Sequence, residues 1–477
     1  MKKMIFNNVS NVFRAEGLGT RAAGDAFRWL VLVLFPILFA SCGEDWLDEK
    51  RDINLVVPSS LKDMRLMLNN SYPLVYDGRG LAELSCGDVY FTDQDWRGKI
   101  ALERYAYIWS DAMFEETTFL AEWDYAYSQT LIANLVLETL EEIPPGSGEQ
   151  DEWIDVKGSA LFFRARAFFN LAQLFAKPYD AATADTDPGI PLRLSSDINA
   201  PSVRASVQET YERILADLEE ASALLAVTPT YVTNPSRPAT YGLLARCHLA
   251  MRNYAKALEY AGLALGDHDA LLDYNTLDVG SSYPMSLFHE EVIFHGQLSS
   301  SFAGFRSPTG KIDPALYEAY EENDLRKTVF FRENADGSFS FKGSYTGGSS
   351  LFGGMATDEL LLIRAEGYAR EGDTGNALED LNTLLEKRYK AGTFKAKTAT
   401  SAGEALSMVL EERRKELLMR GLRWTDLRRL NFEPEHAVTI TRTVEGVTHS
   451  LTPGDPRYTL PVPVYVIQAS GIEQNVR

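Results

Sequence analysis

Residues Asp93-Gln94-Asp95-Trp96-Arg97 set an indole beside two carboxylates, a carboxamide and a guanidinium. A flat ring of this kind can lie against the apolar face of a sugar, and planar polar groups around it can bind hydroxyls. The same chemistry is offered by rings in glycine- and serine-rich surroundings: Tyr283 in Ser281-Ser282-Tyr283-Pro284, Phe302 and Phe305 in Ser301-Phe302-Ala303-Gly304-Phe305, and Tyr345 in Gly343-Ser344-Tyr345-Thr346-Gly347. Each ring has a second reading as a side chain folded onto the core, because large apolar groups are mostly buried.

Groups for bond-breaking chemistry are sparse. The six histidines include no pair at ligand spacing on a clear helix, so solvated or hydrogen-bonded rings are expected. Besides Cys42, the cysteines are Cys86 and Cys247, with no Cys-x-x-Cys, which leaves neither a zinc site nor a thiol catalyst. Cys247 sits in an apolar helical stretch, as a small buried hydrophobe would; a Cys86–Cys247 bridge stays open. Glu411-Glu412-Arg413-Arg414-Lys415-Glu416 could serve as an acid/base cluster, but the spacing suits a helix face laced with ion pairs. No cofactor or metal is expected.

The elements that position these groups are mostly helical. Apolar residues recur at three and four from Leu61 to Tyr72, from Trp123 to Thr139, and from Leu161 to Ala172, and an amphipathic stretch runs from Ser206 to Leu225. Pro144-Pro145-Gly146 separates the second and third of these. Residues 240–251 and 254–265 form a helical hairpin. Ala245, Ala257, Leu258 and Glu259 return as Ala365, Ala377, Leu378 and Glu379, a constant offset of 120, with Asn253 opposite Asp373 in the turn. Helix, polar turn and a second helix opening on Ala-Leu-Glu resembles the tetratricopeptide repeat, here outside a regular tandem. A last long helix is expected from Gly403 to Met419. Residues 78–111 and 266–357 read as irregular, with short strands near Glu291–His295 and Ser338–Lys342.

Forty-seven basic and 67 acidic residues give a net charge of −20. The first 41 residues hold five basic and two acidic side chains, so the remainder carries 42 against 65, or −23. Such a surface repels nucleic acid and anionic lipid, since affinity for either rests on Lys and Arg neutralising phosphates. Hydrophobic residues at 45% and a length several times that of one small domain allow a large core.

Trp29 to Ala40 is an apolar run of twelve behind a basic stretch, too short for the ~20 residues that cross a bilayer. Phe39-Ala40-Ser41-Cys42 is similar to the lipobox of bacterial lipoproteins, with Phe39 where leucine is usual. The expected organisation is a signal peptide at 1–41, a surface tether at 42–57 acylated on Cys42, and a folded body at 58–477.

Taken in order, several stretches resemble the SusD/RagB family of surface glycan-binding lipoproteins. They are the lipobox with Asp45-Trp46-Leu47-Asp48, the Trp123–Asn134 helix, Arg164-Ala165-Arg166-Ala167-Phe168-Phe169-Asn170-Leu171 and Leu243-Leu244-Ala245-Arg246. Asp358-Glu359-Leu360, Glu411 to Leu417, Arg423-Trp424-Thr425-Asp426-Leu427 and Leu460-Pro461-Val462-Pro463 follow. The tail departs from the family's pattern, with Tyr465-Val466-Ile467-Gln468 where a carboxylate is usual. The resemblance implies a mainly α fold, an irregular superhelix of tetratricopeptide-like hairpins carrying a loop-rich ligand-binding portion. It implies an N-terminal part at about 58–226 and a C-terminal part at about 227–477 with its insertion at 266–357. It also implies an outer-membrane lipoprotein facing the cell exterior, a SusC-like TonB-dependent transporter as partner, and binding of a glycan without catalysis. The family's habit of binding through the early loop makes Trp96, with Asp93, Gln94 and Arg97, the first expected ligand contact, ahead of Tyr283, Phe302, Phe305 and Tyr345. A peptide or glycoprotein nutrient bound by the same architecture, a helical glycoside hydrolase, and a pure scaffold with a polar peptide groove are the alternatives.

Overall fold

Helix α1 (Ala121–Glu142) turns Trp123, Ala126, Ala133 and Val136 inward, where Trp123 meets Phe175 edge-on at 5.0 Å. Phe175 closes α2 (Gln150–Phe175), whose residues from Gly158 onward are all buried, so this helix is the central post. The structure, a computed structural model, describes residues 58–69, 74–115, 117–298 and 309–477. Cys42, Phe302 and Phe305 lie outside the described residues, as does Tyr72 at the end of the first expected helix, which is Leu61–Asn69 here.

The array continues through α3 (Val207–Leu224), α4 (Arg237–Ala250), α5 (Tyr254–Asp267), α6 (Thr357–Glu371), α7 (Thr374–Glu386) and α8 (Ala402–Glu416). Each helix packs on the next, and α8 packs on both α6 and α7. Ser206 and Glu209 form a capping box that starts α3.

The two copies offset by 120 share their local geometry. Asn253 caps α5 by accepting from Lys256 N–H, and Asp373 caps α7 by accepting from Asn376 N–H. Before each cap stands one left-handed residue, Arg252 (φ 61°) in the first copy and Gly372 (φ 87°) in the second. Ala257 and Ala377, one turn into the following helices, are fully buried. Because α5 packs against α6, the copies stack, as tetratricopeptide-like hairpins do.

Sixteen α-helices and six two-stranded pairings make the described residues mainly α. The strands expected near 291–295 and 338–342 are Val292–Phe294 and Phe339–Phe341. The expectation of a loop at 78–111 is corrected: the segment holds strand Val89–Tyr90 and the helices Gly80–Ser85, Asp93–Arg97 and Ala101–Tyr107. Runs of five to seven residues are too short to show a helical period. The tail carries a hairpin, Ile440–Val444 with Val447–Leu451, turned by Glu445 (φ 51°) and Gly446 (φ 77°).

The expected ion-pair face on α8 is corrected too. Glu412, Arg413, Lys415 and Glu416 are buried, and beside the one local Lys415–Glu412 pair their partners are distant in sequence. Arg326 binds Asp324, Glu412 and Glu416 at 2.7–2.9 Å. Arg388 binds Glu416 at 2.7 Å and Glu291 at 2.8 Å. The charges sew α8 to the 266–357 region. Cys86 and Cys247 are buried free thiols.

Candidate functional site

Three rings follow one another beside the start of α1, an exposed Phe119 and the half-buried Tyr125 and Tyr76. Phe119, 53% exposed, meets Tyr125 edge-on at 5.4 Å, and Tyr125 stacks on Tyr76 at 5.4 Å with an interplanar angle of 20°. Trp123 and Tyr127 hold α1 to the core, so Tyr125, two residues from each, lies toward the opposite face.

Tyr76 is placed by its backbone. Its carbonyl accepts from Gln129 Nε2 of α1 at 2.7 Å and from Arg166 of α2 at 2.8 Å, and Arg166 also donates to the Leu74 carbonyl. Asp77, fully buried, grips Arg79 at 2.6 Å, and despite burial the Arg79 and Arg166 guanidiniums hold its carboxyl below the usual range. Arg166 belongs to the Arg164-Ala165-Arg166 stretch; its companion Arg164 ties Asp217 and Asn134.

One extended segment fixes two walls of a groove. His295 N–H donates to the Val232 carbonyl at 2.8 Å, and two residues on, Gln297 N–H donates to the Val75 carbonyl at 2.9 Å. Between those walls lies a cavity of about 220 Å³ lined by Leu74, Val75, Tyr231 and Asn234. Tyr231, 64% exposed, is shared with a second groove of about 490 Å³ lined also by Thr230, Asp267, His268 and Phe288. The rings of Tyr231 and Phe288 line this groove, and Val75, the neighbour of Tyr76, lines the smaller cavity that shares Tyr231.

The residues expected from sequence are distributed differently. Trp96 lies on a short helix capped by Thr92; its half-buried ring packs on the core and its Nε1 donates to the Arg104 carbonyl at 3.3 Å. Asp93 accepts from Glu445 N–H at 2.8 Å, Arg97 pairs with the Glu445 carboxylate, and Gln94 is exposed. Nearby, Lys99 donates to Thr309 and Lys311 pairs with Asp95. Tyr283 is 45% exposed on a loop held by Lys342. Tyr345 is corrected from a solvent-facing ring to a core residue, 3% exposed, its hydroxyl shared among Tyr274, Glu291 and Asp358. The glycines around it let the backbone turn inward: Gly347 has φ 65°, and a Cβ there would meet Leu287 N at 2.7 Å. Neither groove is lined by any of these residues.

Carboxylates of Glu291, Asp358 and Glu416 gather within 4.8 Å of one another. Arg388 and Arg420 already occupy that centre, so a cation would have to displace two guanidiniums. Burial pushes Glu291 up to about 7, while Arg388 and Arg326 hold Glu416 low in spite of burial. All three are buried, so this cluster faces no cleft in which two acids could flank a glycosidic bond. The histidines differ from expectation: His248, His289 and His295 are buried, with burial taking His289 down to about 3, and neither His289 ring nitrogen has a hydrogen-bond partner among the described residues.

Comparison with known proteins agrees with this architecture. Residues 45–249 match the SusD-like family model described as starch-binding associating with outer membrane, and residues 356–460 match the model of the SusD family. SusD-like protein P38 of Formosa agariphila is 24% identical over 406 residues, 70% of this chain and 76% of that protein. SusD-like protein P2 of the same organism is 24% identical, over 66% and 72%. Among solved structures, a SusD superfamily protein from Bacteroides thetaiotaomicron superposes with a TM-score of 0.72 at 21% identity, covering 88% of this chain and all of the other. A SusD-like carbohydrate binding protein from Bacteroides vulgatus gives 0.65 at 18%, covering 86% and 97%. No helix among the described residues is long and apolar enough to cross a membrane. With two successive models of one family matching in the expected order on this helical array, the chain belongs to the SusD/RagB family.

Proposed function

We propose that this protein captures a glycan at the outer face of the outer membrane, leaves it uncleaved, and passes it to a SusC-like TonB-dependent transporter, while acyl chains on Cys42 hold it to the membrane. The observation that carries the reading is the ring sequence Phe119–Tyr125–Tyr76, exposed at Phe119, half-buried at the two tyrosines and anchored from below by Gln129 and Arg166. Flat faces bind the apolar sides of sugar rings, and adjacent amides and hydroxyls satisfy the alcohols. Its family membership and the carbohydrate-binding description of a structural neighbour support the ligand class. The sealed, arginine-filled carboxylate cluster supports binding without hydrolysis.

Affinity electrophoresis and calorimetry on the purified protein test this. At least one polysaccharide should bind with micromolar-range affinity and release no new reducing ends. Phe119→Ala and Tyr125→Ala should each weaken binding by ~1–3 kcal/mol, the range for ring stacking, with little change in Tm for the exposed Phe119. Turnover of the bound glycan, or affinity unaltered in both variants, overturns the reading.

A further inference from the structure

Phe288 holds a backbone conformation that bulky residues rarely adopt, φ 58°, and nevertheless leaves its ring 45% exposed on the wall of the larger groove. The conformation is kept by its neighbours: the ring meets His295 edge-on at 5.0 Å, and His295 is bonded through its backbone to Val232, next to Tyr231. Tyr231 faces solvent from the same groove. Two exposed rings thus flank a concavity of about 490 Å³ whose remaining lining includes Thr228, Thr230 and Thr233.

Charge in this groove is nearly absent. Asp267 is the one carboxylate that lines it among the described residues, and Arg237 binds both oxygens of it at 2.7–2.8 Å. His268 is engaged with the Glu290 carbonyl at 2.9 Å. The adjoining 220 Å³ cavity, which shares Tyr231 and Thr233, has no charged lining residue among the described residues. Among the described residues no lysine or arginine lines either cavity to meet a uronate or sulfate, and the acidic surface of the protein opposes one.

We infer that the Tyr231–Phe288 groove is a second subsite for an uncharged stretch of a glycan chain whose other part lies on Phe119, Tyr125 and Tyr76, the small cavity beside Tyr231 joining the two. The inference rests on the glycan reading above and adds length and charge to it. The ligand is a neutral polymer long enough to reach both places, and polyuronates and sulfated chains are excluded. Uncharged hydroxyls pair with the threonines, and the two rings take apolar sugar faces.

The test compares starch, xylan and galactomannan with alginate, using the purified protein and three variants. Phe288→Gly relieves the positive φ and so offsets part of the packing lost with the ring, and Tm measured beside binding separates a lost contact from misfolding. Phe288→Gly and Tyr231→Ala should each weaken the neutral polymer that binds by about tenfold, and a disaccharide of the same sugar, too short to reach both places, by less. Phe119→Ala should weaken both. Alginate should not bind. Polymer affinity unchanged in both groove variants overturns the second subsite and leaves the glycan reading standing, and alginate bound as tightly as the neutral chains overturns the exclusion. Failure of the unaltered protein to bind any of the four polymers, with Phe119→Ala equally inert, overturns the glycan reading and the inference with it.

Discussion

The indole of Trp96 is fixed from two sides, by the core beneath it and by the Arg104 carbonyl that its Nε1 reaches, with the Arg104 guanidinium 5.8 Å from the ring. Trp96→Ala should therefore lower stability by about 1–2 kcal/mol, the scale for uncovering a half-buried ring, and a thermal melt reads the drop. Weakened glycan binding with an unmoved Tm would instead return Trp96 to the ligand face. At this scale the chain shows which rings stand in polar loops and not which of them face solvent. Tyr345 and Tyr283 stand in nearly the same glycine–serine context and one is core while the other is exposed. What decides between them is tertiary: Tyr345 finds Tyr274, Glu291 and Asp358 for its hydroxyl, contacts some 13 to 71 residues away. Tyr231, in Thr228-Pro229-Thr230-Tyr231, carried a similar signal that the pattern reading passed over, and Phe288 could not be found because its φ is invisible in sequence.

Glu83 joins two elements, the helix Gly80–Ser85 that contains it and the turn at Gly421, whose N–H its Oε1 accepts. Gly421 is required there: its φ is 71°, and a Cβ would stand 3.0 Å from the side chains of Arg79 and Leu298. Burial, with Asp88 beside it, pushes the Glu83 carboxyl up to about 8. Unfolded, it would ionise near ~4.3. Between those values the folded protein binds the extra proton, so the protonated acid's contribution is whole below the unfolded pKa and is lost as pH rises through about 8. Glu83→Gln keeps a neutral acceptor for the Gly421 N–H at every pH. Melting curves across this window should show the unaltered protein losing stability relative to Glu83→Gln as pH rises, by a few kcal/mol at most, and the two running parallel above it. Parallel curves throughout would mean that Glu83 is ionised in the folded state. The paired hairpins are the element most plainly written in the chain, since Asn253 and Asp373 cap in the same register.

Across the molecule, long amphipathic helices were legible because three- and four-residue spacing survives any packing arrangement: Ser206 to Leu225 was expected and Val207–Leu224 is found. The interior charge was not. Glu412, Arg413, Lys415 and Glu416 have the spacing of a solvated face, and only the arrival of Arg326, Arg388 and Asp426 makes burial tolerable. Those partners come from the loop-rich region and the last helices, so the irregular part is clamped to the array by ions as well as by apolar contact. The matching family model is described as associating with the outer membrane, no helix among the described residues is long and apolar enough to cross one, and acylation is the hold on it proposed above. Cys42 is the candidate, behind twelve apolar residues and a small-residue pair. One acyl chain binds a membrane only marginally, whereas several hold almost permanently at ~0.8 kcal/mol per buried methylene. Cys42→Ala should thus move the protein from the membrane fraction to the soluble fraction of its bacterial host, with glycan affinity and Tm of the purified protein unchanged, because the three rings and both grooves lie in the body after residue 58. Retention of Cys42→Ala in the membrane fraction after a high-salt wash would show that something other than acylation at this cysteine holds it there.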